Sequence, residues 1–180
     1  MDCKGWGVTG KTTLAKEIGK ELKKSNFFDQ VIDTTVSNNT DTKKIQDDIA
    51  GPLGLSLKDY SASERPKRLW NRLTNGEKIL VILDDVWGHI NFEEIGIPFK
   101  DNHKACRILV TTRNMSTCNK MGCEKIIELE ILPENDGWKL FQKHAGLSGS
   151  SSKRVSLIKL AKFAKNVKDC QLQLQLSLVV

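Results

Sequence analysis

The sequence predicts an α/β protein whose parallel β-sheet is flanked by helices. Residues 78–85 (KILVILDD) and 107–112 (RILVTT) contain apolar runs of strand length. Such runs are typical of strands that are covered on both faces of a parallel sheet. Segments with helical apolar spacing alternate with them, which favours a fold in which helices connect the strands.

The first third of the chain predicts two helices and one strand. From Leu14 onward apolar residues recur every fourth position, which predicts an amphipathic helix that runs toward Lys24. Residues 30–36 are rich in β-branched side chains and predict a strand. Asp41 lies in a segment that predicts a turn and the N-cap of a helix. This helix should be broken by the Gly-Pro pair at 51–52.

Further along, a helix is expected to start near Ser63 and stop near Gly76, and three buried strands follow at 78–85, 107–112 and 125–132. The composition changes after residue 147. Residues 148–152 are rich in Ser and Gly and predict a short linker, and a lysine-rich helix is expected after it.

Charge and cysteine content argue against several classes of function. The net charge is +6, but the lysines are scattered, which favours solvated helix faces over a nucleic-acid-binding surface. No apolar run is long enough to span a bilayer and no secretory segment opens the sequence, so no integral membrane contact and a cytoplasmic location are expected. The five cysteines form no CxxC pair, which favours reduced, mostly buried thiols over a zinc site.

Residues 5–12 (GWGVTGKT) match the pattern G-x-x-x-x-G-K-[ST]. Glycines let backbone N–H groups converge on phosphates, and the N-terminus of the following helix adds its positive dipole end. Lys11 is expected to reach the β- and γ-phosphates, and the hydroxyl of Thr12 is expected to bind Mg²⁺. The candidate nucleotide-binding residues are Gly5, Gly7, Gly10, Lys11, Thr12 and Thr13.

Two acids and an arginine follow buried strands, where ligands of open α/β sheets bind. Asp84 is placed to hold Mg²⁺ together with Thr12, and Asp85 to orient or activate an attacking water. Arg113 is placed to meet a γ-phosphate. Each feature also has a purely structural interpretation. The two acids are consistent with a buried strand that ends in polar residues, and Arg113 with a surface arginine that follows a strand.

The ordered segments GKTTLAKEI, KILVILDDVW, CRILVTTRN and IIELEILPENDGWKLFQKHAG resemble the NB-ARC nucleotide-binding domain of plant disease-resistance proteins. The resemblance extends from Gly5 to about Val180. Trp87, at the end of LDDVW, resembles the branch that carries an N-terminal coiled coil. The resemblance implies a P-loop NTPase sheet in residues 1–132 and a partial helical domain in residues 133–180.

The same resemblance implies roles for individual residues. Lys11 and Thr12 correspond to the P-loop pair, Asp84 and Asp85 to the Walker B acids, and Arg113 to the γ-phosphate sensor. The family's domain is a switch that is closed with ADP and active with ATP, and it feeds immune signalling. ADP or ATP with Mg²⁺ is therefore the expected ligand, and other receptor domains or full-length relatives are the expected partners.

Two departures from the family pattern lead to structural expectations. Residues 1–4 are too short and polar to form the family's central first strand, so the neighbouring strands should carry unpaired backbone groups. At the other end, QLQLQL at 171–176 aligns with the family's GLPLAL, and Gln173 replaces a proline near the adenine. Its alternation favours a strand, whereas helix propensity and the resemblance favour a helix, which we expect.

Three functions are consistent with these observations. The first is a nucleotide-binding switch that hydrolyses ATP slowly at most. The second is a P-loop ATPase or kinase with real turnover, although the sequence offers no separate motif for an acceptor substrate. The third is a remnant that binds no nucleotide and acts only as an interaction fragment, as Gln173 and the short N-terminal segment suggest.

Overall fold

The computed structural model describes residues 11–36, 40–99, 105–123, 125–129 and 174–179, which all belong to one of the chain's two compact units. These residues form a five-stranded sheet with helices on both faces. The strands are β1 (Gln30–Thr35), β2 (Ile79–Val86), β3 (Cys106–Thr112), β4 (Lys125–Leu129) and β5 (Leu174–Val179). The helices are α1 (Lys11–Lys24), α2 (Thr42–Ala50), α3 (Arg65–Leu73), α4 (Phe92–Ile95) and α5 (Met115–Lys120), and a 3₁₀ turn, Gly51–Leu53, follows α2.

The strands lie in the order β1-β2-β3-β5-β4. β1, β2 and β3 are parallel neighbours, as the apolar runs predicted, and the chain has a P-loop NTPase-like α/β fold. Thr35 lies opposite Asp84, and Thr112 lies opposite Val86. The carboxyl ends of three strands therefore meet at one edge of the sheet, next to the first residues of α1.

Alternate residues of β2 explain the two layers of helices. Ile79, Val81 and Leu83 are buried in the larger core, which also contains the apolar faces of α2, α3 and α4. Leu80 and Ile82 point to the other face and pack in a smaller core with α1. A strand whose successive side chains are all apolar can only be buried in this way on both faces.

The predicted helix boundaries agree with the structure. The carboxylate of Asp41 accepts a hydrogen bond from the Lys44 N–H at 3.1 Å and so caps α2. α3 begins at Arg65, a residue that is 3% exposed. Its guanidinium donates to Gln46 Oε1 at 2.9 Å and to Asp47 Oδ1 at 2.6 Å, which ties α3 to α2 and satisfies the buried charge.

The helix expected for the C-terminal tail is wrong where the structure describes it. Leu174–Val179 is a strand, β5, and it runs antiparallel to both of its neighbours. The expectation that a short N-terminus leaves neighbouring strands unpaired is also wrong for β3 and β4, because both pair with β5. The alternation of Leu and Gln prevails over helix propensity because backbone partners are available on both sides. The helices and the linker expected between residues 133 and 170 lie outside the described residues, and the division at 132 stays a prediction.

Three thiols agree with the expectation of reduced, mostly buried cysteines. Cys106 and Cys118 are buried, and Cys123 is half-buried. Burial raises the pKa of the Cys106 thiol to about 12, so this residue is the neutral thiol at physiological pH. Cys3 and Cys170 lie outside the described residues.

Replacement of Gly19 by Ala should destabilise the protein. A Cβ at Gly19 would lie 2.9 Å from Ile82 Cδ1 and 2.9 Å from Val31 Cγ1, so α1 would be pushed off the sheet. The gain in helix propensity is about 1 kcal/mol, and overpacking outweighs it. We expect the free energy of unfolding in urea to fall by about 1–3 kcal/mol.

Gly51→Ala is the matched control, because Gly51 has φ −54° and ψ −55° and a Cβ there would have no atom within 4 Å. It should leave the unfolding free energy unchanged or higher. Equal stability of the two variants would contradict the close packing of α1 on β1 and β2.

Proline in the middle of β5 should disrupt the sheet. Ser177 lies opposite Val110 of β3 and Ile126 of β4. Ser177→Pro removes the backbone N–H, so a ladder carbonyl loses its partner, and the free energy of unfolding should fall by at least about 2 kcal/mol. Ser177→Ala keeps the N–H and serves as the control in the same urea titration. If the two variants unfolded alike, β5 would not be a paired central strand.

Candidate functional site

A buried carboxylate joins α1 to the ends of β2 and β3. Asp84 is 5% exposed. Its Oδ2 accepts a hydrogen bond from Thr12 Oγ1 at 2.7 Å, and its Oδ1 accepts one from Thr111 Oγ1 at 2.6 Å. Hydrogen bonds of this length between a hydroxyl and a charged carboxylate are among the stronger ones in proteins. Asp84 is therefore held from two sides, by the first turn of α1 and by β3.

The next residue, Asp85, lies in an irregular part of the strand. Its φ is +55°, which is uncommon for a residue with a side chain, and the register between β2 and β3 shifts between Leu83 and Val86. The N–H of Asp85 donates to Thr111 Oγ1 at 2.9 Å. Because of this bulge, two successive acids turn to different environments, with Asp84 buried and Asp85 partly exposed.

Arg113 and Trp87 both contact the side chain of Asp85. Arg113 Nε donates to Asp85 Oδ1 at 3.2 Å, and Trp87 Nε1 donates to Asp85 Oδ2 at 3.0 Å. The Arg113 guanidinium also lies over the Trp87 ring, with its carbon 5.1 Å from the ring centroid, which is a cation–π contact. The three side chains therefore contact one another pairwise.

Hydroxyl and amide side chains shape the segment that carries Arg113. Thr112 Oγ1 donates to the Val86 carbonyl at 2.6 Å and accepts from the Asn114 N–H at 3.1 Å. Asn114 Oδ1 in turn accepts from the Ser116 N–H at 2.9 Å and caps α5. Arg113 thus lies between two residues whose positions are set by hydrogen bonds, directly beside β2.

Lys11 brings a buried cation to the same place. It is the first residue of α1 and is 5% exposed. Burial lowers the pKa of its ammonium group, and the positive charge of Arg113 lowers it further, while the carboxylates of Asp85 and Asp84 raise it. These four charged groups are therefore close enough to interact.

These residues suit a polyphosphate with a hard cation. The first turn of α1 has no acidic side chain that would repel an anion, and Lys11 adds a positive charge there. The hydroxyl of Thr12 and the carboxylate of Asp84 are oxygen ligands of the kind Mg²⁺ prefers. Within the described ranges no group of three or more His, Cys, Asp or Glu residues could hold a metal by itself. A magnesium ion here would therefore depend on the phosphates for further ligands.

The structure brings together five of the residues predicted from the sequence, namely Lys11, Thr12, Asp84, Asp85 and Arg113. Thr13 is exposed in the same helical turn. Gly5, Gly7 and Gly10 lie outside the described residues.

A cavity of about 570 Å³ lies elsewhere, between α3 and the segment after α4. Pro66, Trp70 and Phe99 are among the residues that line it, and none of the five clustered residues does. The cluster is thus a polar edge of the sheet and not part of this cavity.

The profile of the NB-ARC domain matches residues 1–150 of the sequence. The chain belongs to the NB-ARC family. It is 35% identical over 150 residues to the "Probable disease resistance protein At1g61300" of Arabidopsis thaliana, which covers 81% of this chain and 20% of that protein. It is 33% identical over 166 residues to the "Disease resistance protein UNI" of the same plant, or 90% of this chain and 18% of that protein.

The "Putative disease resistance protein At4g10780", also of Arabidopsis thaliana, is 32% identical over 165 residues, which is 90% of this chain and 18% of the relative. The NB-ARC chain thus spans about a fifth of the length of the relatives that it matches. It is an NB-ARC domain of the type found in plant disease-resistance proteins. Among its described helices, none is long and apolar enough to cross a membrane.

Two residues of this cluster, Thr111 and Trp87, are not among the site residues predicted from the sequence. Thr111 is fully buried and connects both acids to β3, and Trp87 contacts Asp85 and Arg113. The signal for Thr111 was a polar residue at the end of a buried apolar strand. From the sequence, Trp87 indicates only one branch of the family, and no motif spacing predicts its contacts with Asp85 and Arg113.

Removal of the Thr111 hydroxyl should destabilise the NB-ARC chain. Thr111→Val has nearly the same shape but leaves Asp84 Oδ1 and the Asp85 N–H without this partner in a buried place. We expect the free energy of unfolding at pH 7 to fall by about 2–3 kcal/mol, as is usual for a lost hydrogen bond to a charge.

Thr111→Ser keeps the hydroxyl, so its free energy of unfolding should fall less than that of Thr111→Val in the same denaturant titration. If serine were as destabilising as valine, the lost methyl packing and not the hydrogen bonds would explain the effect.

Proposed function

We propose that this chain is the nucleotide switch domain of a plant immune receptor, which holds ADP or ATP with Mg²⁺ and hydrolyses ATP slowly at most. The observation that carries the proposal is the hydrogen-bonded series Thr12–Asp84–Thr111 beside the buried ammonium of Lys11. This series supports the proposal because it joins Thr12 and Asp84, the two residues proposed to hold Mg²⁺, at the N-terminus of α1. Membership in a nucleotide-binding family supports the same function.

Each residue then has a defined role. The ammonium of Lys11 binds the β- and γ-phosphates, and Thr12 and Asp84 hold Mg²⁺. Asp85 orients a water molecule, and Arg113 contacts the terminal phosphate. When bound, Mg²⁺ neutralises charge that develops on the phosphate oxygens.

The state of Asp85 and Arg113 supports a switch over an enzyme with rapid turnover. Both oxygens of Asp85 accept hydrogen bonds, one from Arg113 and one from Trp87. The pairing of Arg113 with Asp85 and Trp87 competes with its contact to a terminal phosphate, which favours slow turnover. We further propose that the partners of this chain are other receptor domains or full-length relatives. The proposal rests on its matching about a fifth of the length of its relatives. We also propose a cytoplasmic location.

Calorimetric titration with ADP and with Mg²⁺-ATP tests the proposal. Saturable binding to the wild-type chain should be lost, or weakened at least about 30-fold, in Lys11→Ala, because a buried charge that binds phosphate contributes about 2 kcal/mol or more. Lys20→Ala is the matched control, since Lys20 lies on the same helix and pairs only with the exposed Glu17 among the contacts described. The control should bind as the wild type does.

Proton uptake provides a second signal in the same titrations. Burial and Arg113 lower the pKa of Lys11 in the free chain, and a neighbouring phosphate favours the charged form and raises this pKa. Binding at alkaline pH should therefore take up protons, and the observed enthalpy should depend on the ionisation enthalpy of the buffer.

Absence of binding by a wild-type chain with a cooperative unfolding transition would contradict the proposal and favour the remnant without nucleotide. Many turnovers per minute with Mg²⁺-ATP would instead favour a true ATPase. Turnover slower than nucleotide release agrees with the switch.

A further inference from the structure

We infer that Trp87 is a positioning residue that holds Asp85 and Arg113 together, and that it thereby disfavours nucleoside triphosphates relative to diphosphates at this site. The inference deepens the proposed function and rests on it. The side chains of Trp87, Asp85 and Arg113 together form what we call the Trp87 clamp.

One tryptophan makes two different contacts in the clamp. Its indole N–H donates to Asp85 Oδ2 at 3.0 Å, and its ring face lies below the Arg113 guanidinium, 5.1 Å from centroid to carbon. Trp87 itself is 45% exposed, which is unusual for so large an apolar side chain and indicates that packing in the core does not hold it in place. Its backbone carbonyl accepts from Thr117 Oγ1 at 3.4 Å, so α5 contacts the loop that carries it.

Without Trp87 the pair of charges would be weak. The side chains of Arg113 and Asp85 are 29% and 32% exposed, and pairs this open to water contribute little on their own. The indole N–H adds a hydrogen bond to the second oxygen of Asp85, and the cation–π contact restrains the guanidinium of Arg113. Trp87 therefore makes the ion pair persistent.

A terminal phosphate near Lys11 would compete for Arg113. Arg113 holds Asp85 through Nε and lies over the Trp87 ring, so a movement of the guanidinium toward that phosphate would disturb both contacts. A diphosphate, which has no group at that position, leaves the clamp closed. Opening the clamp costs free energy, and this cost reduces the binding free energy of the triphosphate but not that of the diphosphate. The same holds for any ligand that binds only one of two conformations.

The first test concerns the clamp without nucleotide. In ¹H–¹⁵N spectra of the chain, the indole N–H signal of Trp87 is assigned by its absence in Trp87→Phe. Asp85→Asn and Arg113→Gln should each shift this signal, whereas Lys20→Ala, far along α1, should not. If the indole signal does not shift in Asp85→Asn, the inference is overturned, because the hydrogen bond between Trp87 and Asp85 would not exist in solution.

The second test measures the dissociation constants of Mg²⁺-ATP and ADP by calorimetry for three variants. Trp87→Phe keeps a ring face but loses the N–H donor, and Trp87→Leu loses both. The ratio of ATP to ADP affinity should rise about fivefold in Trp87→Phe, which corresponds to the typical net contribution of one hydrogen bond, about 1 kcal/mol, and further in Trp87→Leu. Trp70→Phe on α3, which is the same change outside the clamp, should leave the ratio unchanged.

The outcomes separate this inference from the proposed function. A wild-type chain that binds neither nucleotide overturns both. Binding with an unchanged ATP to ADP ratio in the two Trp87 variants overturns the clamp alone. If the affinities for ATP and ADP fell equally in these variants, Trp87 would act only on the structure of the chain, and this result would also overturn the clamp.

Discussion

The need to satisfy the buried carboxylate of Asp84 determines how this domain is arranged. A charge removed from water costs several kcal/mol unless hydrogen bonds replace the lost hydration. Here two hydroxyls supply them, Thr12 from α1 and Thr111 from β3. Three elements that are distant in the sequence are therefore tied to a single side chain. The first turn of α1, with the ammonium of Lys11, is held against the edge of the sheet as a consequence.

The bulge after Asp84 gives the two adjacent acids different surroundings. In a regular strand Asp85 would point to the opposite face of the sheet and would be covered by the layer there. With φ at +55° and its N–H bound to Thr111, it instead lies in the half-exposed space that Arg113 and Trp87 share. Irregular backbone of this kind is common beside functional sites, where a side chain must be redirected. The hydroxyl of Thr111 supports both acids, because it donates to Asp84 Oδ1 and accepts from the Asp85 N–H.

Much of the fold could be predicted because burial leaves a direct pattern in the sequence. A strand covered on both faces must be apolar at every position, so the apolar run 79–83 and its parallel neighbours were predictable. The proximity of Lys11, Thr12 and Asp84 was predictable from motif spacing, which places a helix start and a strand end at the same edge of the sheet. Thr111 and Trp87 escaped prediction because a threonine in a strand and a tryptophan after one have many ordinary structural uses.

The sequence by itself determined the fold class, the α1 and β2 elements and the chemical character of the site, because periodicity and motif spacing are local properties of the chain. The tertiary structure alone decided the conformation of the tail, where alternating Leu and Gln suit a strand and helix propensity suits a helix. β5 forms because backbone groups of β3 and β4 are available on both sides of it, which no local pattern records. The contacts among Trp87, Asp85 and Arg113 were decided in the same way. They depend on a bulge and on the register between β2 and β3, which arise only when the strands are paired.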